Sequence, residues 1–148
     1  MTTIVSEQLF LSTLTNAGFS ITRARKAVFS ALENADPLTM NELVSTLKGS
    51  IDRASIYRTI DLFEQLHIVD RISIGWKYKL ELSDRFSHHH HHIICEMCGR
   101  IDELIGSAKI EASLINSSQL LGYDVHTHQI EVRGICANCQ KHTPKHYT

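Results

Sequence analysis

The sequence contains no apolar run that approaches the ~20 residues of a membrane-spanning helix, so no such helix is expected. Its N-terminus, MTTIVSEQLFLSTL, has no basic segment ahead of the apolar residues, so a secretory signal is not indicated and a cytoplasmic location is expected. Neither charge is in excess, because 15 Lys and Arg residues face 16 Asp and Glu residues. Any DNA binding therefore has to come from a local basic patch, duplicated by dimerisation, rather than from bulk charge.

Cysteine is scarce, and all four residues fall into two Cys-x-x-Cys pairs, Cys95 with Cys98 and Cys136 with Cys139. Outside the cell such pairs can be disulfides, but in a reducing cytoplasm they favour a metal site. Zinc prefers four thiolates in a tetrahedron, and its binding would contribute to folding. A redox motif and unrelated buried thiols are the alternatives. Two matched pairs favour a structural zinc site over both.

The first half of the chain reads as four helical segments between residues 6 and 67. Ser6 is the predicted cap of the first segment, and Thr22 opens the second. Thr39 with Glu42 forms a capping-box pattern for the third, and Asp52 is the predicted cap of the fourth. Helices of these lengths, in a chain with 43% hydrophobic residues, predict a soluble globular domain.

The period then changes from helical to alternating in IVDRISIGWKYKLEL, with Gly75 at the turn, which predicts a two-stranded hairpin. Helices followed by a hairpin predict a winged helix-turn-helix whose fourth helix is the recognition helix. An α-helical domain with an incidental hairpin is the alternative. The polar stretch 82–88 is the predicted linker.

The second half predicts a small α/β unit. Two short strands flank the first cysteine pair, a helix carries a stripe of Ile110, Leu114 and Leu121, and residues 123–136 return as a strand. The predicted fold class is therefore α+β. A winged helix-turn-helix domain over residues 1–83 precedes a metal-binding α/β domain over residues 84–148.

Five consecutive histidines, residues 88–92, run directly into the first cysteine pair. The run is internal, so it is not a purification tag. On a strand, His88, His90 and His92 share one face while His89 and His91 share the other, which allows two different ions to be served. The side chains that the rest of this half can bring to them are Glu103, Glu111, His126 and His128. Such nitrogen and oxygen ligands suit zinc, iron(II), manganese or cobalt.

Three motifs in order, ASIYRTIDLFEQLHIV, HHHHHIICEMCGRIDEL and HTHQIEVRGICANC, resemble the ferric uptake regulator family of metal-responsive repressors. The likeness covers nearly the whole chain, from about residue 8 to residue 140. It implies a homodimer whose C-terminal domains pair, and whose metal-bound form binds double-stranded operator DNA. It also implies structural Zn2+ and regulatory Fe2+, Mn2+ or Zn2+.

The resemblance assigns metal-binding roles to individual positions. The structural zinc ligands are matched by Cys95, Cys98, Cys136 and Cys139. The sensory site between the domains is matched by His90, His92 and Glu103, with Glu81 as the candidate for the acid after the wing. A further site in the dimerisation domain is matched by His89, His91, Glu111 and His128. The histidine that related proteins supply from the DNA-binding half is replaced by Pro37.

The predicted DNA contacts centre on Tyr57 and Arg58, which match a Tyr-Arg pair in the family's DNA-contacting helix. Tyr57 can pack on a thymine methyl group, and Arg58 can bond a guanine or a phosphate. The remaining candidates lie on the recognition helix, on an earlier helix and on the wing: Arg53, Ser55, Thr59, Arg23, Arg25, Lys26 and Lys77. The alternative for each is an ordinary solvated side chain.

Three classes of function compete. A metal-dependent repressor without enzymatic activity is the leading hypothesis, with iron-type sensing favoured over zinc, manganese or peroxide sensing. A metal-buffering protein is the second hypothesis. A hydrolytic metalloenzyme is the weakest, because no nucleophile or general-base constellation accompanies the histidines.

Overall fold

A computed structural model describes residues 2–33, 35–105, 107–126 and 128–142, with side chains from residue 5 onwards. The chain divides into two compact units, Met1–His89 and His90–Thr148. The division falls just beyond the linker predicted at residues 82–88. Within the described ranges, no helix combines the length and the apolar character needed to cross a membrane.

Over its described residues, the first unit is built from four helices and a hairpin. The helices are α1 (Thr2–Asn16), α2 (Arg23–Glu33), α3 (Met40–Thr46) and α4 (Arg53–Gln65). The capping box predicted for α3 is present, because Thr39 Oγ1 accepts from the amide of Glu42 at 3.2 Å and the Glu42 carboxylate accepts from the amide of Thr39 at 2.7 Å. Asp52 caps α4 by accepting from the amide of Ser55 at 2.9 Å. Local side-chain chemistry thus fixes where the recognition helix begins.

The predicted cap at Ser6 is wrong. Helix α1 begins at Thr2, and Ser6 is buried within it. The Ser6 hydroxyl donates to the carboxylate of Glu33 on α2, so this side chain joins two helices instead of capping one.

The hairpin consists of antiparallel strands β1 (Val69–Ile74) and β2 (Lys77–Leu82). Its two-residue turn places Gly75 at φ +58°, in the left-handed region that glycine enters at little cost. Leu38, in the loop between α2 and α3, pairs with Leu80 of β2 through two backbone hydrogen bonds, of 2.9 and 2.7 Å. The wing is therefore hydrogen-bonded to the loop that leads into α3 of the helix-turn-helix.

An aromatic cluster lies at the centre of the first unit. The ring of Phe10 stacks on Phe29 with the centroids 4.1 Å apart, and it meets Phe63 edge to face at 5.5 Å. The buried apolar side chains around this cluster all belong to the first unit, between Phe10 and Phe86. This unit therefore has a conventional apolar core that involves none of the predicted metal ligands.

In the part of the second unit that the structure describes, a three-stranded sheet is accompanied by two helices. Its elements are β3 (His92–Cys95), β4 (Ile101–Glu103), α5 (Ala108–Leu120), β5 (Glu131–Gly134) and α6 (Ala137–His142). The strand order is β4-β3-β5, in which β3 pairs antiparallel with β4 and parallel with β5. The strand predicted over residues 123–136 is shorter than expected, because the four-residue β3 offers it only four partners.

The second unit has almost no apolar core within one chain. Among its described residues only His91, Ile94 and Cys95 are buried. The predicted stripe on α5 is largely open to solvent, with Ile110 49%, Leu114 46% and Leu121 77% exposed. Apolar burial inside a single chain therefore contributes little to the stability of this unit.

Candidate metal centres and DNA-binding surface

The four cysteines meet at one point of the second unit. Cys95 ends β3, Cys98 lies in the following turn, Cys136 precedes α6 and Cys139 lies within α6. The four sulfur atoms all lie within 4.8 Å of one another, and these four described cysteines form no disulfide. The Sγ atoms of Cys98 and Cys136 are 3.9 Å apart. A tetrahedron with zinc–sulfur bonds of about 2.3 Å has sulfur atoms about 3.8 Å apart, so the cluster fits zinc.

Backbone amides prepare this cluster for a cation. The amide of Cys136 donates to Cys95 Sγ at 3.3 Å. Together with the amide of Cys98, this contact lowers the pKa of Cys95 to about 6. Hydrogen bonds with the sulfur atoms of Cys136 and Cys98 raise the pKa of Cys139 to about 12. Zinc binds thiolates, so a bound zinc ion would displace protons from the cluster and its binding would be weaker at lower pH.

A second group joins β3 to α5. His91 is buried, and its Nε2 atom lies 2.9 Å from Glu111 Oε1. The rings of His91 and His128 have centroids 5.2 Å apart, and the ligand atoms of all three residues lie within 4.8 Å of one another. Ser107 Oγ, at the start of α5, also donates to Glu111 Oε1, at 2.9 Å. Two imidazoles and an oriented carboxylate form a donor set that suits zinc, iron or manganese.

A third group of donors lies at the start of β3 and just before it. His90 and His92 meet edge to face with their ring centroids 4.8 Å apart. His92 lies directly opposite Glu103 in the β3–β4 pair, where facing side chains start about 5 Å apart. Alternation along the histidine run therefore directs His91 and His92 to different carboxylates, Glu111 and Glu103.

Two predicted metal ligands belong to the first unit. Glu81 is half-buried on β2 and lies opposite Asp70 of β1. Burial raises the pKa of Asp70, and the charges of Glu81 and Asp84 raise it further. His89, the last residue of this unit, pairs through Nδ1 with the carboxylate of Asp84. Neither Asp70 nor Asp84 was among the predicted metal ligands, and a cation would relieve the mutual repulsion of these carboxylates.

Most of the predicted DNA-contacting residues of α4 share its solvent-exposed face. The guanidinium of Arg53 donates to the Tyr57 hydroxyl at 3.1 Å, and Arg58 donates to Ser55 Oγ at 3.2 Å. Thr59 is the exception and corrects the prediction, because it is only 5% exposed. It packs on the buried face of α4, where DNA has no access.

The basic residues outside α4 differ in their surroundings. Arg23 and Lys26 are exposed at the start of α2. Arg25 is half-buried, donates to the carbonyl of Ser20 and lies over the Phe19 ring at 5.5 Å. The ammonium group of Lys77, on the wing, lies 4.9 Å from the centre of the Trp76 ring. Arg23 and Lys26 are therefore the α2 cations with the greatest freedom to reach phosphates.

Over residues 16–133 the chain matches the profile of the Ferric uptake regulator family. It belongs to the ferric uptake regulator family. The peroxide-responsive repressor PerR of Staphylococcus aureus is 30% identical over an alignment of 138 residues that covers 88% of this chain and 88% of its own. The Fur family comprises metal-responsive transcriptional regulators, so this chain is a metal-responsive regulator of that kind.

Solved structures confirm the predicted α+β fold of a Fur-family protein. The ferric uptake regulator from Francisella tularensis, solved with iron, is 26% identical with a TM-score of 0.66 and covers 83% of this chain and 96% of its own. The Helicobacter pylori ferric uptake regulator reaches a TM-score of 0.75 at 21% identity, covering 95% of this chain and 94% of its own. An N-terminal helix-turn-helix and a C-terminal α/β domain are thus shared.

Proposed function

We propose that this Fur-family protein is a homodimeric repressor that binds double-stranded operator DNA when a regulatory metal ion, Fe2+ in the first place, occupies its sensory site. The main support for the proposal is that neighbouring histidines of the run at residues 88–92 lie near different carboxylates. His92 of β3 pairs directly with Glu103 of β4 and its ring contacts that of His90, while His91 lies against Glu111. Two donor sets with different carboxylates, beside a cysteine cluster that fits zinc, match a sensor rather than a metal store.

Each group of donors has its own role in this proposal. Structural Zn2+ is held by the four cysteines. The sensory ion, Fe2+, Mn2+ or Zn2+, is held by His90, His92, Glu103 and Glu81. The further ion is held by His89, His91, Glu111 and His128. Sensing requires that metal favour one arrangement of the chain over another, and a ligand on the wing provides that preference.

Glu81 is the residue that would transmit the signal, since Pro37 offers no ligand. Glu81 follows Leu80, which is bonded in both directions to Leu38 in the loop next to Pro37. A metal ion that draws on Glu81 therefore acts on β2 and, through Leu38, on the helix-turn-helix. In this proposal, the hydrogen bonds between Leu38 and Leu80 connect the metal site to the helix-turn-helix. Related proteins make this connection through a histidine ligand.

Glu81→Gln is expected to abolish most of the metal response of DNA binding while the metal-free affinity stays unchanged. The coupling free energy between two sites is typically 1–3 kcal/mol, which corresponds to a factor of about 5–150. The ratio of the operator Kd without Mn2+ to the operator Kd with Mn2+ should therefore fall by about this factor. Glu7→Gln, the same change at an exposed residue of α1, is the matched control. A full metal response in Glu81→Gln would remove Glu81 from the sensory site.

Ser107→Ala is expected to weaken metal binding at the further site about tenfold, since loss of a group that orients a ligand typically costs 10–100-fold in affinity. Ser107 holds Glu111 Oε1 by a 2.9 Å hydrogen bond. Isothermal titration with Zn2+ of protein that retains its structural zinc measures the change. Ser113→Ala, at an exposed position of the same helix, is the control. Equal affinity in both variants would show that Ser107 does not orient Glu111.

Peroxide sensing is the second candidate, because the 30% identical relative is a peroxide-responsive repressor. Iron bound by imidazoles can direct peroxide oxidation to a ligand histidine. Treatment of the iron-loaded protein with hydrogen peroxide would then abolish operator binding and add one oxygen to a histidine-containing peptide. The manganese-loaded protein serves as the control and would keep its mass and its DNA binding.

DNase protection of the protein's own promoter and sedimentation at fixed salt test the proposed repressor directly. A protected site and a dimeric mass are the expected results. Metal binding without sequence-specific protection would favour the metal-buffering alternative.

A further inference from the structure

The tip of the wing carries a large apolar side chain in water. Trp76 is the only tryptophan of the sequence, and it is 91% exposed. It follows Gly75 in the two-residue turn that joins β1 to β2. Neither the core of the first unit nor the predicted DNA contacts make use of this indole ring. An exposed tryptophan at a rigid turn gains free energy when a partner covers it.

The hairpin holds Trp76 well away from the core. Its base is fixed to the end of α4, because the amide of Ile68 donates to the carbonyl of Phe63 at 2.8 Å and Arg71 of β1 pairs with Glu64. At about 3.3 Å per residue, the six residues of β1 carry the turn roughly 20 Å from that base. The indole is therefore presented on the same unit as the recognition helix and outside its core.

The charge beside Trp76 indicates the chemistry of its partner. The ammonium group of Lys77 lies 4.9 Å from the centre of the indole ring, so an apolar plane and a cation are presented together. The wall of a DNA groove offers the complement, since apolar deoxyribose rings alternate along it with phosphates. An indole has no acceptor and only one donor, so it reads base edges poorly.

We infer that Trp76 packs against deoxyribose in the bound DNA while Lys77 pairs with the neighbouring phosphate. The inference rests on the proposed function, because it requires that the protein bind duplex DNA. The contact supplies affinity without sequence information, in contrast to side chains that reach base edges. Trp76 is thus a positioning residue of the DNA complex.

The lone tryptophan allows a direct test on the unmodified protein. Acrylamide quenching of its fluorescence is measured for the metal-loaded dimer, alone and with operator DNA, while the anisotropy of labelled DNA reports binding in the same samples. We expect the quenching constant to fall severalfold when DNA binds. DNA that binds without protecting Trp76 would overturn the inference alone, whereas absence of DNA binding would overturn the proposed function and the inference with it. Protection that rises with protein concentration in the absence of DNA would assign the indole to a second copy of the chain and also overturn it.

Substitution separates a sugar contact from base reading. Trp76→Ala is expected to weaken binding about fivefold, at the lower end of measured aromatic contacts to nucleic acid, and Trp76→Phe to retain most of the affinity. Operator and unrelated duplex DNA should be weakened by the same factor. A loss confined to the operator would show that the ring reads bases, and unchanged affinity for both duplexes would show that it makes no contact. Both results contradict the inference.

Discussion

Cys98→Ser is expected to unfold the second unit and to leave the first unit folded. The Sγ atom of Cys98 lies 3.9 Å from that of Cys136, so this single thiol joins the turn after β3 to the residue before α6. A structural zinc ion contributes about 10–16 kcal/mol to the folding of small zinc domains at neutral pH. Loss of one of four thiolates removes much of that contribution.

The expected effect is large because the second unit has almost no buried apolar core within one chain to stabilise it. Only His91, Ile94 and Cys95 are buried among its described residues, whereas the first unit surrounds Phe10, Phe29 and Phe63 with apolar side chains. The effect should therefore stop at the unit boundary. Small domains that rely on a metal ion in place of an apolar core commonly unfold when the metal is removed.

Hydrogen exchange followed by mass spectrometry resolves the two units. Peptides from residues 90–142 should lose protection in Cys98→Ser, and peptides from residues 5–89 should keep it. Met97→Ser is the matched control, because Met97 neighbours Cys98 in the same turn and is 54% exposed. Native protection of residues 90–142 in the absence of zinc would contradict a structural role for the cysteine cluster.

Arg58→Ala is expected to weaken operator binding by about 1–3 kcal/mol, or roughly 5–150-fold, without a change in fold. Arg58 is exposed on α4, and its 3.2 Å bond to Ser55 occupies one of the five donors of its guanidinium. The remaining donors are available to a base or a phosphate. Removing them leaves the helix and its Asp52 cap intact.

Anisotropy titrations at one fixed salt concentration measure this effect, because phosphate contacts make affinity strongly salt-dependent. Arg85→Ala is the matched control, since Arg85 is an exposed arginine of the same unit without a predicted DNA contact. A loss larger for operator than for unrelated duplex DNA would assign Arg58 to a base, and an equal loss would assign it to a phosphate. Unchanged affinity for both would remove Arg58 from the DNA-binding surface.

The features that the sequence predicted well are those decided by neighbouring residues. The caps at Thr39 and Asp52 depend on partners three residues away, so their patterns are readable without a fold. Ser6 failed as a cap because its partner, Glu33, lies on another helix. Thr59 was misassigned although the signal was available, since it lies three residues after Ile56 and four before Phe63 on one buried helical face.

The metal-binding groups also divide into features that the local sequence predicts and features that require the fold. Spacing alone predicted the cysteine cluster, and strand alternation predicted that neighbouring histidines can serve different ions, whereas the family resemblance assigned a carboxylate to each set. The contribution of Ser107 to Glu111 and the exposure of Trp76 required the fold, because each depends on how separate segments meet or fail to meet. The helical period of α5 predicted an apolar stripe, but nothing in one sequence says that the stripe stays open within a single chain.

Metal-dependent repression is tested most directly by a titration of operator binding with Fe2+, Mn2+ and Zn2+ in turn, using protein that retains only its structural zinc. We expect at least one ion, with Fe2+ the first candidate, to tighten binding to promoter DNA by about 5–150-fold at fixed salt. The same affinity for promoter DNA without metal and with each of the three ions would contradict a metal-dependent repressor. Metal would then bind to the protein without changing its affinity for DNA.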